Sequence, residues 1–101
     1  MHQHTIHART IVRYLQKRGA WVARLRGTWG QRKGLPDILA CWQGRLIAIE
    51  VKTGKGRLSP EQKREHEALC TAGAVVLVGN AVEVIHELER LTQEPQARLA
   101  L

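Results

Sequence analysis

The sequence predicts an α/β fold, a mixed β-sheet flanked by helices in the order αβββαβα. Three observations carry this. Apolar residues recur at helical spacing near the N-terminus, two aliphatic strands meet at a Gln43-Gly44 turn, and a capped helix separates the second of them from a further apolar run. A tight turn joins antiparallel strands, whereas a strand–helix–strand crossover joins parallel ones, so the sheet must be mixed.

Each element has its own local reason. Ala8, Ile11, Val12 and Leu15 form the stripe of an amphipathic helix over about Thr5 to Arg18, which Gly19 ends. Trp21 to Arg26 reads as a strand, and residues 27–35, with three glycines and no periodicity, as a loop. Asp37 to Trp42 and Arg45 to Lys52 are the two strands of the hairpin. A basic connection, residues 53–58, leads to Ser59-Pro60-Glu61-Gln62, where a Ser cap, a first-turn Pro and a Gln at the third helical position start a helix. Leu69 and Cys70 are expected on its inner side and Gly73 at its end. Ala74 to Val78 is uninterrupted and apolar, the pattern of a strand buried on both faces. Asn80 caps a last helix that buries Val84, Ile85, Leu88 and Leu91, with Pro95 beyond its end and residues 96–101 expected to fray.

A length of 101 residues leaves room for one domain, 1–101, with a modest core, and a dimer interface would add to it. Apolar and charged contents of 44% and 25% are those of a globular chain. No apolar run is long enough for a membrane span, no signal-peptide layout is present, and two cysteines do not make a disulfide framework. A reducing cytoplasm is the expected location. The net charge of +7 is unevenly spread: residues 1–64 hold 14 Lys or Arg against three acids, and residues 65–101 hold two Arg against six Glu. Such a field suits a polyanion, from whose phosphates Lys and Arg displace counterions. A basic solvated surface with no partner is the plainer alternative.

Within the basic part the acids are few and oddly placed. Asp37 is the only acid among the first 49 residues and follows Pro36 at the mouth of a strand; Glu50 comes next, near the end of the neighbouring strand. Glu50 and Lys52 are two apart on a strand and therefore point to one face. A symmetric hairpin register brings Asp37 beside Glu50. Two carboxylates among basic residues can hold Mg²⁺, whose remaining ligands are waters and substrate phosphates, and the Val51 carbonyl adds an oxygen. Lys52 would stand beside the attacking water. Taken alone, Glu50-Val51-Lys52 is also what an exposed surface ion pair looks like. Gln62 has two readings that coexist, a capping-box residue and an amide aimed at the water or a phosphate.

Gly34-Leu35-Pro36-Asp37, then Ile49-Glu50-Val51-Lys52, then Leu58-Ser59-Pro60-Glu61-Gln62 resembles the PD-(D/E)XK nucleases, specifically the VRR-Nuc group in its minimal, stand-alone form. The likeness extends from the first helix to the strand at 74–78. It implies a restriction-endonuclease-like core, dependence on Mg²⁺ or Mn²⁺, and hydrolysis of DNA phosphodiester bonds by Asp37, Glu50, Lys52 and Gln62. It further implies a homodimer acting on branched DNA such as four-way junctions, in the manner of Holliday junction resolvases, in the cytoplasm of a bacterium or encoded by a phage. One departure stands out: members often carry a Glu in the first helix, and the matching position here is His4.

Arg32, Lys33, Lys55 and Arg57 lie in the loops flanking the carboxylates and suit contacts to DNA backbone. Trp29, in the first of those loops, either stacks on an unpaired base or packs internally, and Trp21 and Trp42 suit the core or a dimer interface. His2, His4 and His7 read as exposed residues of a loose N-terminus rather than a metal cluster. Thr53-Gly54-Lys55-Gly56 lacks the first glycine and the hydroxyl residue of a phosphate-binding loop. Two rivals to a branch-selective nuclease remain: a restriction or defence enzyme that cuts ordinary duplex, and a silent nucleic-acid-binding module.

Overall fold

The computed structural model describes residues 3–25 and 32–93. The elements are α1 (Gln3–Lys17), β1 (Trp21–Arg24), β2 (Ile38–Trp42), β3 (Arg45–Val51), α2 (Pro60–Thr71), β4 (Val75–Gly79) and α3 (Ala81–Thr92). Their order is the expected one. The predicted fraying of residues 96–101 lies outside the described residues, as do residues 26–31 of the first loop.

The four strands form one sheet in the order β1-β2-β3-β4. β1 and β3 each run antiparallel to β2, and β4 runs parallel to β3 across the α2 crossover. Two-residue periodicity sorts the strand residues onto two faces. Ile38, Ala40, Trp42, Ile47, Ile49 and Val51 point to the face covered by α1 and α3, where they pack with Ala8, Ile11, Leu15, Ala81, Val84, Leu88 and Leu91. Leu46, Ala48 and Glu50 alternate with them and face the side of α2. The buried Trp42 indole donates to the Arg18 carbonyl at 3.2 Å, which ties the end of α1 to the sheet. No helix among the described residues is long and apolar enough to cross a membrane.

Three expectations need correction. β4 is an edge strand rather than one buried on both faces: Val78 is 42% exposed, because α2 leaves part of its outer face open. A continuous apolar run does not distinguish these cases, since one side of an edge strand has no neighbour. On α2 it is His66 that is buried, whereas Cys70 is exposed. The N-terminus is also anchored rather than loose, since α1 begins at Gln3 and His7 Nδ1 accepts from the Ala81 amide at 2.9 Å. His2 lies outside the described residues.

The β2–β3 turn places both Gln43 (φ 52°) and Gly44 (φ 76°) in the left-handed region, as a two-residue hairpin matched to strand twist requires. Gly44→Ala is expected to cost about 1 kcal/mol. In a domain of this size that lowers the unfolding midpoint by roughly 4–8 °C, measured by circular dichroism. An unchanged midpoint would contradict the turn assignment.

Candidate active site

Asp37 immediately precedes β2, and its position follows from the hairpin. Ile38 pairs with Ile49, so one step further Asp37 stands opposite Glu50. Both isoleucines point into the core, which sends both carboxylates to the other face. Asp37 is held at three points: its carbonyl accepts from Leu25 N at 2.8 Å, its Oδ2 accepts from Val51 N at 2.8 Å, and His4 Nε2 lies 3.2 Å from Oδ2. The Val51 amide is thus taken by a side chain where the β2–β3 ladder ends. The Val51 side chain is buried, so any ligand it offers is its carbonyl.

Glu50 is 2% exposed, an expensive place for a carboxylate. Burial first, then a hydrogen bond with Asp37 and the negative charge of Asp37, raise its pKa to about 8, against the pull of the Lys52 charge. The same causes favour the protonated form of Glu50 in the metal-free protein. A divalent ion bound between the two carboxylates would cancel their repulsion. Among the described residues no group of three or more His, Cys, Asp or Glu is arranged to hold a metal. Two carboxylates fit Mg²⁺ or Mn²⁺, which take one or two carboxylates and fill their other positions with water or phosphate, and do not fit a four-ligand zinc site.

Lys52 lies on the same side of β3 and continues the pairing to β4, its amide donating to the Gly79 carbonyl at 2.9 Å. Its charge acts on both Glu50 and His66. The three residues of the expected core are therefore gathered at one end of the sheet face that α2 borders.

α2 starts with a complete capping box: Gln62 N donates to Ser59 Oγ at 3.1 Å, and Ser59 N donates to Gln62 Oε1 at 2.8 Å. The cap uses the Gln62 oxygen and leaves the two donors of its amide nitrogen for other work. One turn on, His66 is 7% exposed with Nε2 3.3 Å from Glu50 Oε1. Burial and the Lys52 charge lower the His66 pKa, with Asp37 opposing, so the ring is neutral at pH 7. Sequence reasoning overlooked His66. Its signal was the i, i+4 spacing from Gln62, which puts both residues on one helix face.

The expected DNA contacts sort differently. Arg32 makes a two-point ion pair with Glu65 of α2, its Nε donating to Oε2 at 2.7 Å, so its guanidinium braces the loop against the helix. Lys33, Lys55 and Arg57 are exposed in the flanking loops. Trp29 lies outside the described residues. Of the other tryptophans Trp42 belongs to the core, whereas Trp21 is 62% exposed on edge strand β1.

Comparison with known proteins sets this geometry in context. The family model described as archaeal Holliday junction resolvase (Hjc) matches residues 5–71, two thirds of the chain and all the motifs above. A solved structure described as a VRR_NUC domain superposes with a TM-score of 0.75 at 25% identity, covering 89% of this chain and 97% of that one. No curated protein matches. The αβββαβα order and mixed sheet are those of the VRR_NUC nuclease fold.

Proposed function

Since this chain belongs to the archaeal Holliday junction resolvase family and is a nuclease of the PD-(D/E)XK type, we propose that it is a metal-dependent endodeoxyribonuclease that cuts branched DNA such as four-way junctions. In this reading residues 1–101 form one domain acting as a homodimer. The observation that carries the proposal is the pairing of Asp37 and Glu50 on one sheet face beside Lys52.

Asp37 and Glu50, with the Val51 carbonyl, are the residues that would hold Mg²⁺ or Mn²⁺. The cation, when bound, supplies positive charge against the charge that builds on the phosphate oxygens during hydrolysis. Lys52 orients the attacking water and stabilises the same oxygens. Gln62, fixed by its cap, directs its amide nitrogen to the water or to a phosphate oxygen. Water gives up a proton as it forms the new P–O bond, the bond to the leaving sugar oxygen breaks, and that oxygen takes up a proton. Lys33, Lys55 and Arg57 contact the backbone on either side, and Arg32 holds the loop that carries Lys33. A two-fold dimer sets two identical sites on one substrate, which suits paired cuts in a branched molecule.

The test incubates the purified protein with labelled duplex, flap and four-way-junction DNA in Mg²⁺, Mn²⁺ or EDTA. Junction cleavage in metal and none in EDTA is expected, with Lys52→Ala lowering the rate at least about 100-fold while junction binding persists. Absence of cleavage in both metals removes the nuclease reading. Equal cutting of every substrate removes the preference for branches, and sedimentation of a monomer on the junction removes the dimer.

A further inference from the structure

We propose that His66 is a positioning residue for Glu50 and sets the affinity of the site for its divalent ion. The inference rests on the nuclease reading and deepens it. Glu50 has two carboxylate oxygens in a nearly dry environment, and each needs a partner. His66 Nε2 lies 3.3 Å from Oε1, with both side chains buried. An ionised carboxylate only accepts, so with a cation in place the ring must carry its proton on Nε2. That bond fixes the rotation of the carboxylate and leaves Oε2, which does not bond the ring, for the ion. A carboxylate free to rotate has no preferred oxygen.

α2 fixes the position of the ring. His66 sits in the second turn of a helix whose start is fixed by the Ser59–Gln62 box and braced by the Arg32–Glu65 pair. The helix therefore presents two residues to the site with separate duties, Gln62 at its mouth and His66 beneath it. The ring is too deeply buried for contact with a polyanion, and it faces neither solvent nor the apolar core around Ile49. Its polar contact is with Glu50. Hydrogen bonds to ligating groups tune metal affinity by 10–100-fold.

The experiment measures Mn²⁺ binding by calorimetry and by the loss of the free-ion paramagnetic resonance signal, without DNA, for the wild type and three variants. His66→Gln places an amide donor near the position of Nε2, His66→Asn keeps the polarity but is too short to reach, and His66→Leu removes the donor. Affinity is expected to fall roughly 10–100-fold for Asn and Leu and to stay within a few-fold of wild type for Gln. The Gln/Asn contrast survives should the Leu variant not fold, and a purely structural role does not generate it. Equal Mn²⁺ affinity in Asn, Gln and wild type overturns the inference and leaves the nuclease reading standing. A wild type that binds no Mn²⁺ and cuts no DNA overturns both.

Discussion

Glu50→Gln is expected to abolish cleavage while making the metal-free protein more stable in alkaline solution. The amide cannot hold a cation by charge, so a loss of at least about 1,000-fold in rate follows. The stability effect comes from the position of Glu50. Its folded pKa of about 8 lies above the ordinary 4.5 because it is buried beside Asp37. Between these values the folded protein holds a proton that the unfolded chain has released. Stability from this group is full below about pH 4.5 and is lost as pH rises through about 8. Glutamine imitates the neutral acid at every pH, so the variant escapes the loss. A higher unfolding midpoint than wild type at pH 8.5 in EDTA is expected.

His66 works in the opposite direction. Its lowered pKa means that the unfolded chain binds a proton first as pH falls below about 6.5, so this ring destabilises the fold on the acid side. Thermal midpoints from pH 5 to 9 in EDTA separate the two groups. The wild type should decline toward pH 9 and Glu50→Gln should not. Parallel curves would show that Glu50 carries no buried proton.

Gly34→Ala is the substitution expected to damage the fold most for its size. Gly34 has φ +89°, and a Cβ there would strike the Glu61 carbonyl and come within 2.9 Å of Gln62 N. These are backbone atoms at the start of α2 and cannot turn aside. Overpacking of this kind costs about 1–3 kcal/mol, and the left-handed backbone adds about 1 kcal/mol. Gly19→Ala provides the control, since Gly19 has φ +83° and open space around its Cβ position. It should show the backbone cost alone. Gly34→Ala should also lose cleavage at temperatures where it remains folded, because the displaced α2 carries Gln62 and His66 away from Asp37 and Glu50. Equal unfolding midpoints for the two variants would contradict the close approach.

Much of this molecule was legible from one chain. The Ala8–Leu15 stripe, the Gln43-Gly44 turn and the Ser59 and Asn80 caps announce elements whose observed bounds differ by one or two residues. Asp37, Glu50 and Lys52 were visible because a sheet alternates its faces and a two-residue turn sets the register. Such signals depend on neighbours a few residues away, and the sequence contains them outright.

Tertiary structure decided how α2 docks. The contact of Gly34 with Glu61, the Arg32–Glu65 brace and the placement of His66 under Glu50 each join groups 16 to 33 positions apart, and no local period encodes them. The same docking left Cys70 outside and the edge of β4 uncovered, against the reading of their apolar surroundings. His4 reaching Asp37 belongs to this class, since it needs the first turn of α1 laid across the end of the sheet. Periodicity states which face of an element is apolar. Which polar groups then meet is settled only when those faces close on one another and each buried charge must find a partner.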